Sequence, residues 1–225
     1  MSRSKSSHEW LREHEKDPFV HRARIEGYRS RASYKLLEIE ERYQLLSGCR
    51  RVLDLGAAPG GWCQVVNRLR GAQTEVFAID LLPMEPIPGV TFFQGDFTED
   101  VGLEAIKEFL GDQQADLVIS DMAPNLSGMK AVDLPKSVDL VELAIHCADD
   151  FLVTGGHFLT KAFEGEGIDT LRREIRTRYE KQVNIKPKAS RGRSKEIYLL
   201  GLGKKPQNSE GERNLTFDIR PTKSK

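Results

Sequence analysis

A chain of 225 residues is long enough to bury one full α/β core and too short for two, so a single domain is expected. Lysine plus arginine balance aspartate plus glutamate at 34 each, so net charge names no partner and any polyanion-binding surface must come from local clustering. Three cysteines without metal-ligand spacing (Cys49, Cys63, Cys147), no apolar run near the ~20 residues that span a bilayer and no signal-peptide core predict a soluble cytoplasmic protein without structural zinc.

Met1 to Ser7 is polar and basic and is expected to be unordered. Ser7 caps a helix through Trp10 and Leu11 to about Lys16, and Pro18 opens a second that ends at Gly27. Residues 1–30 therefore read as a basic helical appendage, thin in apolar side chains. Between Arg22 and Lys35 the cations Arg22, Arg24, Arg29, Arg31 and Lys35 alternate with Tyr28 and Tyr34. That composition suits phosphate contact with some stacking, and it equally suits a solvated helix face. Leu36, Leu37, Ile39 and Tyr43 fall near helical spacing, which puts Lys35 at the start of a helix leading to the first strand.

The stretch RVLDLGAAPGGWCQVV, Arg51 to Val66, organises the chain. Val52, Leu53 and Leu55 read as a buried parallel strand that turns through Gly56, Ala57, Ala58, Pro59, Gly60 and Gly61 into a helix. Small residues there let the backbone approach a ligand at the carboxyl edge of a sheet. Asp80, with Leu81 after it, ends the next apolar run about two dozen residues on, where doubly wound folds set an acid against ribose hydroxyls. The loop is not G-x-G-x-x-G, and Pro59 removes a donor that would cradle a pyrophosphate. A nucleoside cofactor without phosphates fits, and S-adenosylmethionine is the obvious one.

Further strands read at Val76 to Ile79, Val90 to Phe93, Leu117 to Ser120, Phe158 to Phe163, Val183 to Ile185 and Ile197 to Leu202, with helices between most of them. A helix from near Pro135 carries Val138, Val141, Ile145, Ala148 and Leu152 on one stripe, and Gly155-Gly156 is expected to end it. Asp96, followed by Phe97, suits an acceptor for an adenine amino group with an aromatic beside the base, or an ordinary turn aspartate. Asp121 ends a buried strand before Pro124, so it faces the reaction centre or caps a turn. Lys161 lies in an apolar strand, where a lysine is expensive unless it is paired or works. From about Lys204 to Lys225 the chain reads as a flexible tail.

These motifs resemble the FtsJ/RrmJ family of ribose 2′-O-methyltransferases, closest to the bacterial members that modify 23S ribosomal RNA. SRASYKLLEI, DLGAAPGGW, DLLPMEPIPGV, QGDF, SDMAPNLSG, KAFEGEG and SRGRSKEIYLL occur in family order and cover nearly all of Trp10 to Gly203. Cys63 stands where serine is expected and Thr154 where many members have proline, and the tail is longer. The resemblance implies a Rossmann-like α/β fold with a mostly parallel seven-stranded sheet and one antiparallel strand, occupying residues 31–204, with residues 205–225 as the tail. It implies Lys35, Asp121, Lys161 and Glu196 as the catalytic set, and Gly60, Trp62, Asp80, Asp96 and Asp121 around the cofactor. The substrate it implies is a ribose, of a uridine, in the 23S RNA of the large subunit, modified by a monomer that uses no metal.

A methyl on a sulfonium is already activated, so the chemistry needs a ribose hydroxyl polarised and held in line with the sulfur-carbon bond. A lysine serves as base when its ammonium is destabilised, and Lys35 would bring that second charge to Lys161. Asp121 would orient the amine and take up charge, and Glu196 would position Lys35. Between Arg172 and Lys195 ten cations face Glu174 and Glu180, and this run, with Arg191 and Arg193 foremost, would form a continuous phosphate groove with Arg22 to Arg31 on either side of the catalytic lysines. The rivals are the same reaction on the anticodon loop of transfer RNA and a non-catalytic RNA-binding assembly factor.

Overall fold

The computed structural model of the protein describes residues 17–124, 129–192 and 194–206. The helix expected from Ser7 to Lys16, the cation Arg193 and all but the start of the expected tail lie outside the described residues. Two helices, α1 (Pro18–Glu26) and α2 (Ser33–Tyr43), precede β1 (Arg51–Leu55). Then come α3 (Gly61–Arg70), β2 (Glu75–Asp80), β3 (Val90–Gln94), α4 (Asp100–Leu110), β4 (Ala115–Ser120), α5 (Lys130–Phe151), β5 (Leu152–Phe163), α6 (Ile168–Arg178), β6 (Tyr179–Ile185) and β7 (Glu196–Lys204).

The seven strands form one sheet in the order β3-β2-β1-β4-β5-β7-β6, parallel except for β7, which runs against both neighbours. Strand order reverses between β1 and β4, and the crevice at their carboxyl ends is where open α/β sheets bind ligands. Side chains alternate across the sheet. Leu53, Phe77, Val118, Phe158 and Leu199 join α4, α5 and α6 in one core, while Val52, Ala78, Ile119, Leu159 and Tyr198 join α2 and α3 in the other. This period of two puts Lys161 on the α2 face, next to Tyr198 of β7 by strand register.

Two expectations along the chain are corrected. The long helix begins at Lys130, five residues before Pro135, because the Met129 carbonyl already accepts the amides of Val132 and Asp133. It ends at Phe151, and Gly155-Gly156 lie inside β5. There the register jumps from Ala115↔Leu152 to Leu117↔His157, and Gly155 takes φ of +85° in the bulge, the conformation for which glycine is suited. Lys204, placed at the head of the tail, is instead the buried last residue of β7.

The N-terminal segment is stitched to the domain. Asp17 caps α1 through the Phe19 amide, and α1 ends in the left-handed Gly27. Arg68 of α3 donates to the carbonyls of Glu26 and Gly27, and Gln64 donates to that of Gly27. Tyr34 is 5% exposed, packed against Phe19 and Tyr28, with its hydroxyl on Glu26. Tyr34 therefore cannot stack on a base as its place among the arginines suggested. Arg68 lies over the Tyr28 ring. No helix among the described residues is long and apolar enough to cross a membrane.

Candidate active site

The turn after β1 is built for close approach. The amides of Gly56 and Ala57 donate to the Ile79 carbonyl, that of Ala58 donates to Asp80 Oδ2 at 2.9 Å, and the Ala58–Pro59 peptide is cis. A Cβ on Gly56 would stand 2.2 Å from Met122 Cγ, and one on Gly60 2.7 Å from Ile87 Cδ1, and both residues have positive φ. Trp62, at the start of α3, is buried and donates its indole N–H to the Ala32 carbonyl at 2.8 Å.

Two adjoining cavities open at this edge. The larger, about 490 Å³, is lined by Gly56, Asp80, Leu81, Asp96, Phe97 and Asp121 of the expected set, and also by Leu82, Thr98, Met122–Pro124, Leu140 and Leu143. The smaller, about 160 Å³, is lined by Gly56, Ala57, Pro59, Gly61, Trp62 and Asp121, with Ser30, Ala32 and Asp54. Gly60 lines neither, because its Cα faces Met84, Ile87 and Arg29. A third cavity, about 510 Å³ at the opposite edge beside Lys204, is lined by paired charges such as Arg178 and Asp149. Among the additional lining residues, Leu140 and Leu143 come from α5 and Ser30 and Ala32 from the segment before α2, which only chain folding brings there.

Three carboxylates, Asp80, Asp96 and Asp121, line the larger, mostly apolar cleft. Asp80 accepts backbone amides on both oxygens, from Ala58 and Leu82, so its orientation is fixed and one lone pair per oxygen is left. Asp96 Oδ1 accepts the Thr98 amide and hydroxyl, so Asp96 does hold a turn as it lines the cleft. Beneath the turn, burial first, and then the charges of Asp121 and Asp80, push the Asp54 carboxyl up to about 7, and the Cys63 thiol donates to it at 3.0 Å.

Lys35, Asp121, Lys161 and Glu196 are brought together from α2, the end of β4, β5 and the start of β7. Lys161 Nζ donates to Asp121 Oδ1 at 3.1 Å and to the Asp121 carbonyl at 2.5 Å. Lys35 Nζ sits 2.7 Å from Glu196 Oε1 and 3.9 Å from Asp121 Oδ1. Both lysines are buried, at 7% and 8% exposure. Burial would raise the Asp121 carboxyl, but the charges of Lys161 and Lys35 and the hydroxyl of Tyr198 outweigh it and hold the group below the usual carboxylate range.

Tyr198 was not singled out in the sequence. Its hydroxyl donates to Asp121 Oδ1, its ring lies 5.6 Å from Lys35 Nζ and it packs on Trp62. Burial, then Asp121 and Glu196, raise its phenol well above the ordinary value, so it stays a donor. The available signal was spacing, since Glu196 and Tyr198 are two apart on one strand and share a face. Ser190, also missed, donates to Glu196 Oε1 at 2.8 Å.

The cations separate. Arg22 pairs with Glu26, and Arg24 is exposed on α1. Arg31 is largely buried, bonded to Asp17 and to the Ala189 carbonyl, and Arg191 lies 3.8 Å from Asp17. Arg29 donates to the carbonyls of Pro59, Glu85 and Pro86. The run from Arg172 to Lys195 is divided between the two edges of the sheet. It follows α6 from the carboxyl edge of the sheet down to the opposite edge and returns along β6, so Arg176, Arg178 and Lys181 lie at the far end from Lys186, Lys188, Arg191 and Lys195.

Residues 28–204 match the FtsJ-like methyltransferase family. The chain is 56% identical over 203 residues to ribosomal RNA large subunit methyltransferase E of Pseudomonas fluorescens, which covers 90% of this chain and 97% of that protein. It is 53% identical over 205 residues to the protein of the same name from Hydrogenovibrio crunogenus, covering 91% and 100%. The crystal structure of a ribosomal RNA methyltransferase from Plasmodium falciparum superposes with a TM-score of 0.71 at 31% identity, covering 80% of this chain and all of that one. A matched family over most of the chain, relatives above half identity and a shared three-layer fold leave one assignment: the chain belongs to the FtsJ-like methyltransferase family.

Proposed function

We propose that this protein methylates a ribose 2′-hydroxyl of ribosomal RNA in the large subunit, a uridine of the 23S RNA, with S-adenosylmethionine as donor. The observation that carries the reading is the convergence of Lys35, Asp121, Lys161 and Glu196 beside a cleft of about 490 Å³ at the carboxyl edge of the sheet. The cleft residues fit the donor. Asp80 offers fixed acceptors to ribose hydroxyls, Asp96 and Phe97 suit an adenine, and the smaller cavity at Gly61 and Trp62 suits the amino-acid end. When bound, the donor supplies a methyl group on a sulfonium.

The chain's own residues then hold the acceptor and move its proton. Lys161 Nζ takes the proton of the 2′-hydroxyl as general base, fixed in direction by its two bonds to Asp121. For that step Lys161 is the neutral amine, and Asp121, kept ionised by Lys35 and Tyr198, balances the charge that arrives on it. Lys35, tied to Glu196, adds positive charge near the reacting oxygen, and Ser190 holds Glu196. All four side chains come from one chain, which suits a monomer, and a ribosomal RNA substrate suits a cytoplasmic protein. Residues 31–204 make up the methyltransferase domain, residues 1–30 a basic appendage that grips RNA with Arg22 and Arg24, and residues 205–225 a tail.

The experiment is to incubate the protein with labelled S-adenosylmethionine and large subunits from a strain lacking the gene, with bare transfer RNA alongside, and to map the modified ribose. Label confined to a 2′-oxygen of the large-subunit RNA is expected. Label on transfer RNA alone, or no transfer to either, overturns the reading.

A further inference from the structure

We propose that Arg29 is a positioning residue for the methyl-donor cleft and not a phosphate ligand, an inference that rests on the donor reading above. Sequence composition grouped Arg29 with the RNA-facing arginines, but its guanidinium is engaged by backbone carbonyls of the protein's own loops. Nη1 donates to the Pro59 carbonyl at 3.1 Å and to that of Glu85 at 2.6 Å, and Nη2 donates to that of Pro86 at 2.8 Å. Its own amide donates to Gln64 of α3 at 2.8 Å. A guanidinium presents five donors in one plane, so it can bridge carbonyls of two separate loops, which the point charge of a lysine ammonium cannot do in the same directions.

The two loops it joins border the cleft. Pro59 belongs to the turn after β1, and Glu85-Pro86 to the connection from Leu81 to Gly89, which follows Asp80 and has no helix or strand of its own. Other side-chain ties on that connection come from Asn67 to the Pro88 carbonyl and from Gln94 to that of Leu81. Met84 and Ile87 close it over Gly60, where a Cβ would also come within 3.2 Å of Arg29 Nη1. The absence of a side chain at Gly60 thus serves a contact between loops, which accounts for Gly60 lying outside both cavities. Asp80 and the turn hold their relative place through the Ala58 amide on one side and through Arg29 on the other.

The test uses the full chain with S-adenosylhomocysteine as probe, without RNA, in calorimetric titrations of the wild type, Arg29→Lys and Arg29→Ala. Both variants are expected to bind the probe about tenfold or more weakly. The KM for S-adenosylmethionine should rise accordingly, with kcat at saturation within a few-fold of the wild type. The salt dependence of RNA binding should stay unchanged. If Arg29→Lys binds the probe like the wild type, or if the salt slope falls by about 0.7–0.9, as it does when one phosphate interaction is removed, the inference is overturned. Wild-type protein that fails to bind the probe sinks the donor reading and this inference with it. Should Arg29→Ala fail to fold, Arg29→Lys decides, supported by amide exchange of the wild type. There, residues Leu81–Val90 must gain protection when the probe is added, and a connection that stays as open as before refutes the clamp.

Discussion

Lys161 touches Asp121 and lines neither cavity, so the proposed role as base can be tested apart from donor binding. Lys161→Ala is expected to lower methyl transfer by about 10³-fold or more while S-adenosylhomocysteine affinity stays within a few-fold, read by filter assay and calorimetry. Asp54 makes a prediction in stability. Its folded carboxyl, buried and beside Asp121 and Asp80, is pushed up to about 7, so between the ordinary aspartate value and pH 7 the folded state binds more protons than the unfolded one. Its contribution is therefore most favourable below about pH 4 and is lost as pH rises toward 7. Asp54→Asn removes that titration and keeps an acceptor for the Cys63 thiol. Relative to the wild type, the variant should gain a few kcal/mol of stability between pH 4 and pH 8 in urea titrations, and a pH-independent difference would contradict the assignment. Asp121 has the opposite sign, since its depressed carboxyl stabilises the fold above the ordinary aspartate value and loses that effect in acid.

At the scale of elements, α5 ends on a buried cation. Lys204 Nζ donates to the carbonyls of Ala148, Asp149 and Leu152 at 2.7–2.9 Å, so a β7 side chain satisfies the last turn of a helix distant in sequence. Lys204→Met should destabilise the protein by about 2–5 kcal/mol and speed amide exchange in the last turn of α5, because buried carbonyls lose their donor. An unchanged melting curve would show that water replaces the lysine. The apolar periodicity of this helix was legible in Val141, Ile145 and Ala148. Its ends were not. Pro135 stands at the sixth position, inside the helix, where it has no N–H to give to the i−4 carbonyl and sequence rules would place a start, and Gly155-Gly156 serve a strand bulge whose partner, β4, is some forty residues away.

Across the whole molecule, the cations of α6 and β6 divide between two edges of the sheet, and only one edge carries the lysines of the site. Exposed Lys188 and Lys195 lie on the edge with Lys35 and Lys161, whereas exposed Arg176 and Lys181 lie on the other. Reversing Lys188 and Lys195 to Glu should weaken RNA binding and flatten its salt slope by about 0.7–0.9 for each phosphate interaction removed, while reversing Arg176 and Lys181 should leave the slope in place. Equal effects from both pairs would restore a single continuous groove. Arg31 and Arg191 belong to neither group in a simple way, since Asp17 draws both to the junction of α1 and the β6–β7 loop, the loop that carries Ser190 to Glu196.

The chain by itself determined the alternation of strands and helices, the small-residue turn after β1, the acids at the ends of β1, β2 and β4 and the lone Lys161 in its apolar strand, because period, glycine content and strand-end position are local properties, whereas Lys35 and Glu196 joined the candidate set only through the family resemblance. The tertiary structure alone decided which groups share an environment. Tyr198 meets Asp121 through antiparallel pairing of β7 with β5, Leu140 and Leu143 reach the cleft by the packing of α5, and Arg29 turns from the RNA side to the loops at Pro59 and Pro86. A side chain's charge is written in its letter, but what that charge faces depends on contacts between segments far apart in sequence, and those are fixed only when the sheet closes.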